Sequence, residues 1–126
     1  MSGSNFIGGQ RSAAGSVRLH SLDARTGEAL PIAFAQATPE EVAAAAQAAE
    51  AAFAEYNALV PERRAQFLDA IADQLDALDD TFVATVCRET ALPAGRIQGE
   101  RGRTSNQMRL FAKVLRRGDY LGARID

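Results

Sequence analysis

An alanine-rich stretch, "ATPEEVAAAAQAAEAAFAEY" (residues 37–56), constrains the fold of this chain more than any other feature. Thr38 can cap a helix, Pro39 suits the first helical position, and Glu41 completes a capping box. Behind this start, apolar residues recur at spacings of four and three, as on one face of a helix: Val42, Ala46, Ala49, Phe53 and Tyr56. Much of this stripe is alanine, so another surface can approach it closely.

Three further helices are predicted after the first. The second begins at Pro61, the third is capped by Asp79 or Asp80 and ended by Pro93, and the fourth ends near Gly118. The predicted apolar face of the second helix consists of Phe67, Leu68, Ile71, Leu75 and Leu78. That of the third consists of Phe82, Val83, Val86 and Cys87. That of the fourth consists of Ile97, Thr104, Met108, Phe111 and Leu115.

Strands are predicted only before residue 37. "FIGG" reads as a short strand ending in a turn, and residues 16–35 read as a β-hairpin around the turn "DARTGE". Pro31 cannot donate a ladder hydrogen bond, which places the second hairpin strand at a sheet edge. The predicted fold is therefore mostly α, with four helices and an N-terminal β-hairpin.

The composition indicates that these helices need a further surface. The 126 residues suit one domain, but they include 26 alanines and only 28 Leu, Ile, Val and Phe residues in total. Alanine favours helix formation but buries little apolar area. We therefore expect long, thin helices that belong to something larger.

Charge is divided unevenly along the chain. Residues 1–93 carry 6 basic and 13 acidic side chains, whereas residues 94–126 carry 8 basic and 3 acidic ones. Arg96, Arg103 and Arg117 share roughly one face of the fourth helix and could track phosphates. However, Glu100 can pair with Arg96 or Arg103. We favour an ion-paired face that meets acidic helices of the same molecule. A subunit contact and a nucleic-acid contact remain open.

The candidates for chemistry are few. Cys87, the only cysteine, lies near the C-terminal end of its helix, where the helix dipole disfavours a thiolate, so we expect a buried structural thiol. His20 is the only histidine and is expected on the surface, without a metal cluster. "FIGG" matches neither phosphate-binding pattern. The helix carboxylates are expected on solvated faces: Glu40, Glu41, Glu50, Glu55, Asp69, Asp73 and Asp76. No catalytic, cofactor-binding or metal-binding residue is predicted.

Targeting signals are also lacking. A single cysteine forms no internal disulfide, and no apolar run approaches the ~20 residues of a membrane span. The start "MSGSNFIGGQ" does not look like a signal peptide. We expect a cytoplasmic protein without membrane contact.

The order of these segments resembles one family. "FIGGQ", "SLDARTGEALPIAFAQATPEEV" and "PERRAQFLDAIADQLDALDDTFVATVCRETALP" look like the amino-terminal portion of an aldehyde dehydrogenase. That family has an "F-I-x-G" strand, an "N-P-x-T-G-E" hairpin turn, an alanine-rich helix, an "R-x-x-x-L" helix and a helix ending in "E-T-G-K-P". Here Ala24 replaces the turn proline, and Ala91 and Leu92 replace Gly-Lys. With "RIQGERGRTSNQMRLFAKVLRRG", this variant is similar to the branch that oxidises α-ketoglutarate semialdehyde (2,5-dioxopentanoate). A related fatty-aldehyde branch shares the "ETALP" segment.

The resemblance also implies which parts of the enzyme this chain contains and which lie outside it. The family's nucleophilic cysteine, general-base glutamate, oxyanion-hole asparagine and nucleotide-binding segments lie well beyond residue 126, so Cys87 does not inherit the catalytic role. Residues 1–37 would form the N-terminal strand and β-hairpin, 38–118 a helical layer of the cofactor-binding domain of an α/β fold, and 119–126 the start of the next segment. The full-length protein would use NAD or NADP and form a homo-oligomer.

The resemblance also predicts how the chain behaves in isolation. We expect it to be inactive, to bind neither cofactor nor nucleic acid, and to have the remainder of the same polypeptide as its partner. The alternatives are a small helical nucleic-acid- or partner-binding module that uses the basic fourth helix, and a truncated paralogue that regulates the full enzyme.

Overall fold

The computed structural model describes residues 2–122 and contains four strands and four α-helices. The strands are β1 (Asn5–Ile7), β2 (Gln10–Ser12), β3 (Arg18–Leu22) and β4 (Ala29–Ala35). The helices are α1 (Pro39–Ala58), α2 (Pro61–Asp76), α3 (Asp80–Thr90) and α4 (Ala94–Arg117), followed by a 3₁₀ turn at Asp119–Leu121. This confirms the predicted class of four helices with β structure at the N-terminus.

The described residues fall into two compact units. One contains residues 2–57 with 88–91, and the other contains residues 58–87 with 92–122. The division at residues 37 and 118 that the resemblance implies stays a prediction. Residues 123–126, the end of the predicted third segment, lie outside the described part.

The first unit contains two antiparallel hairpins rather than one. β1 pairs with β2 through Phe6 and Arg11, across a turn at Gly8 and Gly9, both of which have positive φ. Strand β2 was not predicted, because Gln10–Ser12 shows no alternation of apolar and polar residues. β3 pairs with β4 in the predicted hairpin, as in the register of Leu19 with Phe34.

Gly3 is required by a close backbone contact with β4. Its carbonyl accepts a hydrogen bond of 2.8 Å from the N–H of Ala35. A Cβ atom at this position would lie 1.8 Å from the carbonyl oxygen of Ala33. Because that oxygen belongs to the backbone of a paired strand, a side chain at residue 3 would displace the strand.

Helix α1 begins as predicted but buries little of its apolar stripe. Pro39 is its first residue, and Glu41 is its one buried residue. Phe53 is 66% exposed, and Val42 and Tyr56 are also exposed. The stripe predicted from the sequence is therefore uncovered in the described part of the chain.

Helix α3 begins at one of the predicted caps and ends before Pro93, as predicted. Asp79 caps it, because its carboxylate accepts hydrogen bonds from the N–H groups of Thr81 and Phe82 at 3.0 and 3.2 Å. The helix stops at Thr90, and Ala91 follows with φ of +59°, in the left-handed region, which the sequence did not predict. Pro93 occupies the N-cap position of α4.

The end of α3 is connected to the turn of the β3–β4 hairpin by a backbone hydrogen bond and an ion pair. The carbonyl of Arg88 accepts a hydrogen bond of 2.8 Å from the N–H of Ala24. The Nε atom of Arg88 lies 3.2 Å from Oδ2 of Asp23, and the other carboxylate oxygen, Oδ1, accepts a hydrogen bond of 3.1 Å from the N–H of Arg25. These bonds lower the pKa of Asp23, the Arg25 N–H first and the Arg88 side chain second. They lie within the first unit.

Helices α2 and α4 form the core of the second unit. They run antiparallel, because Arg116 near the end of α4 pairs with Glu62 at the start of α2, while Arg109 pairs with Asp76 at the end of α2. Their fully buried contact residues are small and spaced seven apart on each helix: Ala65, Ala72, Ser105 and Ala112. Small side chains at these positions let the two backbones approach closely.

Candidate functional site

The cysteine and the histidine lie apart from any cluster of possible metal ligands. Cys87 is half-buried near the C-terminal end of α3. His20 is exposed on β3, as predicted, and its Nδ1 atom lies 2.9 Å from the carbonyl oxygen of Leu30. Among residues 2–122, no three His, Cys, Asp or Glu side chains are placed to hold a metal ion. The structure therefore brings no nucleophile, base or metal cluster together within this part of the chain.

Glu41 contradicts the prediction that the helix carboxylates lie on solvated faces. Its exposure is only 7%, because residues 12–15 cover it. Its Oε1 atom accepts from the hydroxyl of Ser12 and, at 3.1 Å, from the N–H of Ala14, while Oε2 accepts from the N–H of Thr38 at 2.9 Å. Sequence periodicity missed this burial because the covering residues come from a distant loop.

These donors stabilise the charged form of Glu41. The Ser12 hydroxyl and the backbone N–H groups of Thr38 and Ala14 hold the pKa of the Glu41 carboxyl below its ordinary value of 4.5. The site is filled by residues of its own unit, so we interpret Glu41 as a structural link between the first hairpin and α1.

The arginines that meet acidic helix residues are not the three that the sequence analysis selected. Arg109 lies 2.8 Å from both Asp73 and Asp76. Arg116 lies 2.9 Å from Glu62 and 2.8 Å from Asp69. The carboxylates raise the pKa of both guanidinium groups, and the Ser105 and Arg109 side chains lower the pKa of Asp76. The prediction that arginines of the fourth helix meet acidic residues of another helix was right. Arg109 and Arg116 make these contacts, however, and not the three arginines named from the sequence.

The selected arginines pair along or just after their own helix. Arg96 and Arg103 both pair with Glu100, at 2.6 and 3.4 Å, which confirms the predicted pairing, and Arg117 pairs with Asp119. Ser105 and Ala112 are fully buried and mark the side of α4 that faces α2. Arg109 and Arg116 lie four residues after Ser105 and Ala112, one helical turn further along, so they lie on the same side of the helix. Small residues repeated at a spacing of seven were the signal in the sequence that could have located the contact.

The second unit exposes apolar side chains around two grooves on its helices. A groove of about 440 Å³ is lined by Leu68, Met108, Phe111, Val114, Leu115 and Tyr120. A second groove, of about 390 Å³, is lined by Phe67, Ala70, Ile71, Gln74, Leu75 and Leu78. We call these residues together the open apolar face. They include all five residues of the stripe predicted for α2, so the predicted contact surface exists but is not covered by residues 2–122. Such a face is typical of an interaction surface.

None of the described helices is both long and apolar enough to cross a membrane. The chain matches the aldehyde dehydrogenase family model over residues 13–124. The chain belongs to the aldehyde dehydrogenase family. It is also similar to two relatives over almost its entire length. One is an α-ketoglutaric semialdehyde dehydrogenase of Acinetobacter baylyi, 47% identical over 124 residues. The other is the α-ketoglutaric semialdehyde dehydrogenase 2 of Azospirillum brasilense, 41% identical over 128 residues.

The chain is much shorter than these members of the aldehyde dehydrogenase family. The matches cover 98% and 100% of this chain but only 24% of each relative. It therefore spans about a quarter of their length.

The described residues do not fit a nicotinamide dinucleotide. In the common dinucleotide-binding fold, backbone N–H groups at a glycine-rich turn between a strand and a helix hold the pyrophosphate of such a ligand. Here Gly8 and Gly9 connect two strands of a hairpin, and the two grooves of the second unit are almost entirely apolar. No step of catalysis is therefore assigned to these residues.

Proposed function

We propose that this chain is the amino-terminal quarter of an NAD- or NADP-dependent dehydrogenase that oxidises α-ketoglutarate semialdehyde to 2-oxoglutarate. The observation that carries the proposal is the match to two α-ketoglutaric semialdehyde dehydrogenases at 47% and 41% identity, each over about a quarter of the relative. The groups that add to the aldehyde, accept its hydride and activate water would be supplied by the remainder of the enzyme.

The role of these residues would be structural. The open apolar face and the stripe of α1 leave large apolar side chains in water, since Phe53, Phe67 and Phe111 are all more than half exposed. Exposed apolar patches mark interaction surfaces. Burying each such side chain contributes roughly 1.5–3 kcal/mol. We therefore infer that the remainder of the polypeptide covers these surfaces. By the resemblance, the complete enzyme would be a homo-oligomer; its cytoplasmic location stays an expectation.

A chimera tests this proposal. This chain would replace the matching quarter of the Acinetobacter baylyi relative, and NADH or NADPH formation would be followed with α-ketoglutarate semialdehyde. We expect turnover by the chimera. The 126-residue chain alone and the relative without its first quarter serve as controls and should be inactive. Turnover by the 126-residue chain alone, or a folded chimera without activity, would contradict the proposal.

A further inference from the structure

Arg64 of α2 is half-buried, and one nitrogen of its guanidinium group lacks a hydrogen-bond partner. Its Nε atom is buried, and no acceptor among residues 2–122 reaches it. Most buried polar side-chain atoms in folded proteins do have a partner. Because a guanidinium group stays protonated in proteins, Arg64 cannot reduce the cost of burial by losing its charge.

Helix α2 itself offers no carboxylate to Arg64. The residues one helical turn before and after it are all apolar: Val60, Pro61, Phe67 and Leu68. The acidic residues of α2 that are nearest in sequence, Glu62 and Asp69, both pair with Arg116 of α4. Arg64 therefore takes no part in the ion pairs that join α2 to α4.

The position of Arg64 on α2 connects it with the open apolar face. Residues 64, 68, 71 and 75 recur at spacings of four and three, which places them on one side of the helix. Leu68 lines the first groove, and Ile71 and Leu75 line the second. Arg64 therefore lies at the N-terminal end of the open apolar face.

A surface that covered the open apolar face would also cover Arg64. The proposed function assigns this cover to the remainder of the polypeptide, since the chain spans only 24% of each relative. Burying a charge without a partner is strongly unfavourable, so the covering surface must supply an acceptor. A carboxylate fits best, because its two oxygens can accept in parallel from Nε and one terminal nitrogen of the guanidinium group.

We propose that a carboxylate from the remainder of the polypeptide pairs with Arg64 and so fixes the segment that covers the open apolar face. This inference rests on the proposed function. The covering surface is apolar where it meets Leu68, Ile71 and Leu75, and acidic beside Arg64. Apolar contacts specify the alignment of two surfaces poorly, whereas one charged pair at the end of the contact sets the register.

A structure of the complete enzyme that contains this chain tests the pairing directly. We expect a carboxylate oxygen of a residue beyond 126 within about 4 Å of the Arg64 guanidinium group. A guanidinium group that faces water, meets only backbone carbonyls or pairs with another subunit would overturn the proposal.

Substitutions of Arg64 in the complete enzyme measure what the pair contributes. Arg64→Met keeps an apolar stem but leaves the partner carboxylate buried alone, so thermal unfolding, followed by circular dichroism, should become about 10- to 100-fold faster. Arg64→Lys keeps the charge and should unfold more slowly than Arg64→Met. An unchanged unfolding rate in Arg64→Met, or equal rates in the two variants, would contradict the proposal. If Arg64→Met enzyme is not recovered in soluble form, the structure of the unsubstituted enzyme still decides.

Arg63→Met is the matched control, because it makes the same replacement at the adjacent position of α2. Arg63 is exposed and donates to the side chain of Gln66 at 3.1 Å, so its loss should leave the unfolding rate unchanged. Faster unfolding equal to that of Arg64→Met would count against a specific role of Arg64. None of these measurements depends on catalysis. An enzyme that does not oxidise α-ketoglutarate semialdehyde, but in which Arg64 meets a carboxylate, would contradict the proposed function and not this inference.

Discussion

Thr38 and Glu41 hydrogen-bond each other reciprocally at the start of α1. The N–H of Thr38 donates to Oε2 of Glu41 at 2.9 Å, and the N–H of Glu41 donates to Oγ1 of Thr38 at 3.2 Å. This is the capping box that the sequence predicts, and it satisfies two backbone donors at the helix start.

Removing this cap should weaken α1 even in isolation. A peptide of residues 36–58 is alanine-rich and long enough to be partly helical in water. Thr38→Ala should reduce helix stability by about 1 kcal/mol, because it removes the hydroxyl acceptor. Circular dichroism at 222 nm measures the loss, and Gln47→Ala is a control that should not lower the signal. An unchanged signal in Thr38→Ala would show that the box does not stabilise the helix.

Removing the Ser12 hydroxyl should raise the pKa of Glu41 toward its ordinary value of 4.5. Because the folded-state pKa is lowered, the ionised carboxylate contributes stability above about pH 4.5, and this contribution is lost as pH falls through the folded-state pKa. The measurement is a ¹³C NMR titration of the Glu41 carboxyl in the 126-residue chain, for Ser12→Ala against unsubstituted protein. Ser16→Ala, at an exposed serine of the same loop, should not change the titration.

Ala91→Gly should stabilise the chain. A non-glycine residue in the left-handed region costs roughly 1–2 kcal/mol, and glycine is preferred directly after a helix. Greater freedom of glycine in the unfolded chain offsets part of this gain, so we expect about 1 kcal/mol. Thermal unfolding of the chimeric enzyme measures the effect.

Ala84→Gly is the matched control for Ala91→Gly, because it makes the same replacement at an exposed position inside α3, the helix that Ala91 directly follows. It should destabilise α3 by about 1 kcal/mol. If both variants lowered the midpoint of thermal unfolding, the strain assigned to Ala91 would be refuted.

Ala72→Leu should force α2 and α4 apart. Ala72 is fully buried between them, and overpacking a core position typically costs about 1–3 kcal/mol. Amide hydrogen exchange in the 126-residue chain should show faster exchange in both helices. Ala70→Leu adds the same atoms at an exposed position of α2 and should leave exchange unchanged. Equal protection in the two variants would mean that the close helix contact does not exist in solution.

Phe111→Asp should be tolerated by the 126-residue chain but not by the chimeric enzyme. Phe111 is half exposed here, so the isolated chain loses little, whereas the covered face of a complete enzyme would bury an unpaired charge. We expect unchanged circular dichroism for the chain and loss of soluble, active chimera. Lys113→Asp, on the same helix but not on the open apolar face, should preserve activity. A fully active Phe111→Asp chimera would show that this face stays in water.

Local sequence determined most of the secondary structure. The capping box at Thr38, the prolines at residues 39 and 61, Asp79 and Gly118 set the helix ends through contacts within a few residues. The β2 strand and the left-handed conformation of Ala91 were missed. β2 is polar and needs its partner strand, and Ala91 adopts a conformation that its residue type disfavours.

The sequence by itself determined the family, the four helices and the apolar stripes, because these follow from residue order and periodicity. Only the tertiary structure decided which arginines meet acidic residues of another helix and that Glu41 is buried. Each of these depends on how close segments far apart in sequence come together: 29 residues separate Ser12 from Glu41, and 36 separate Asp73 from Arg109. The positions of residues along the sequence do not give the distances between such segments in space. Those distances depend on packing, for example on the small side chains that let the backbones of α2 and α4 approach each other.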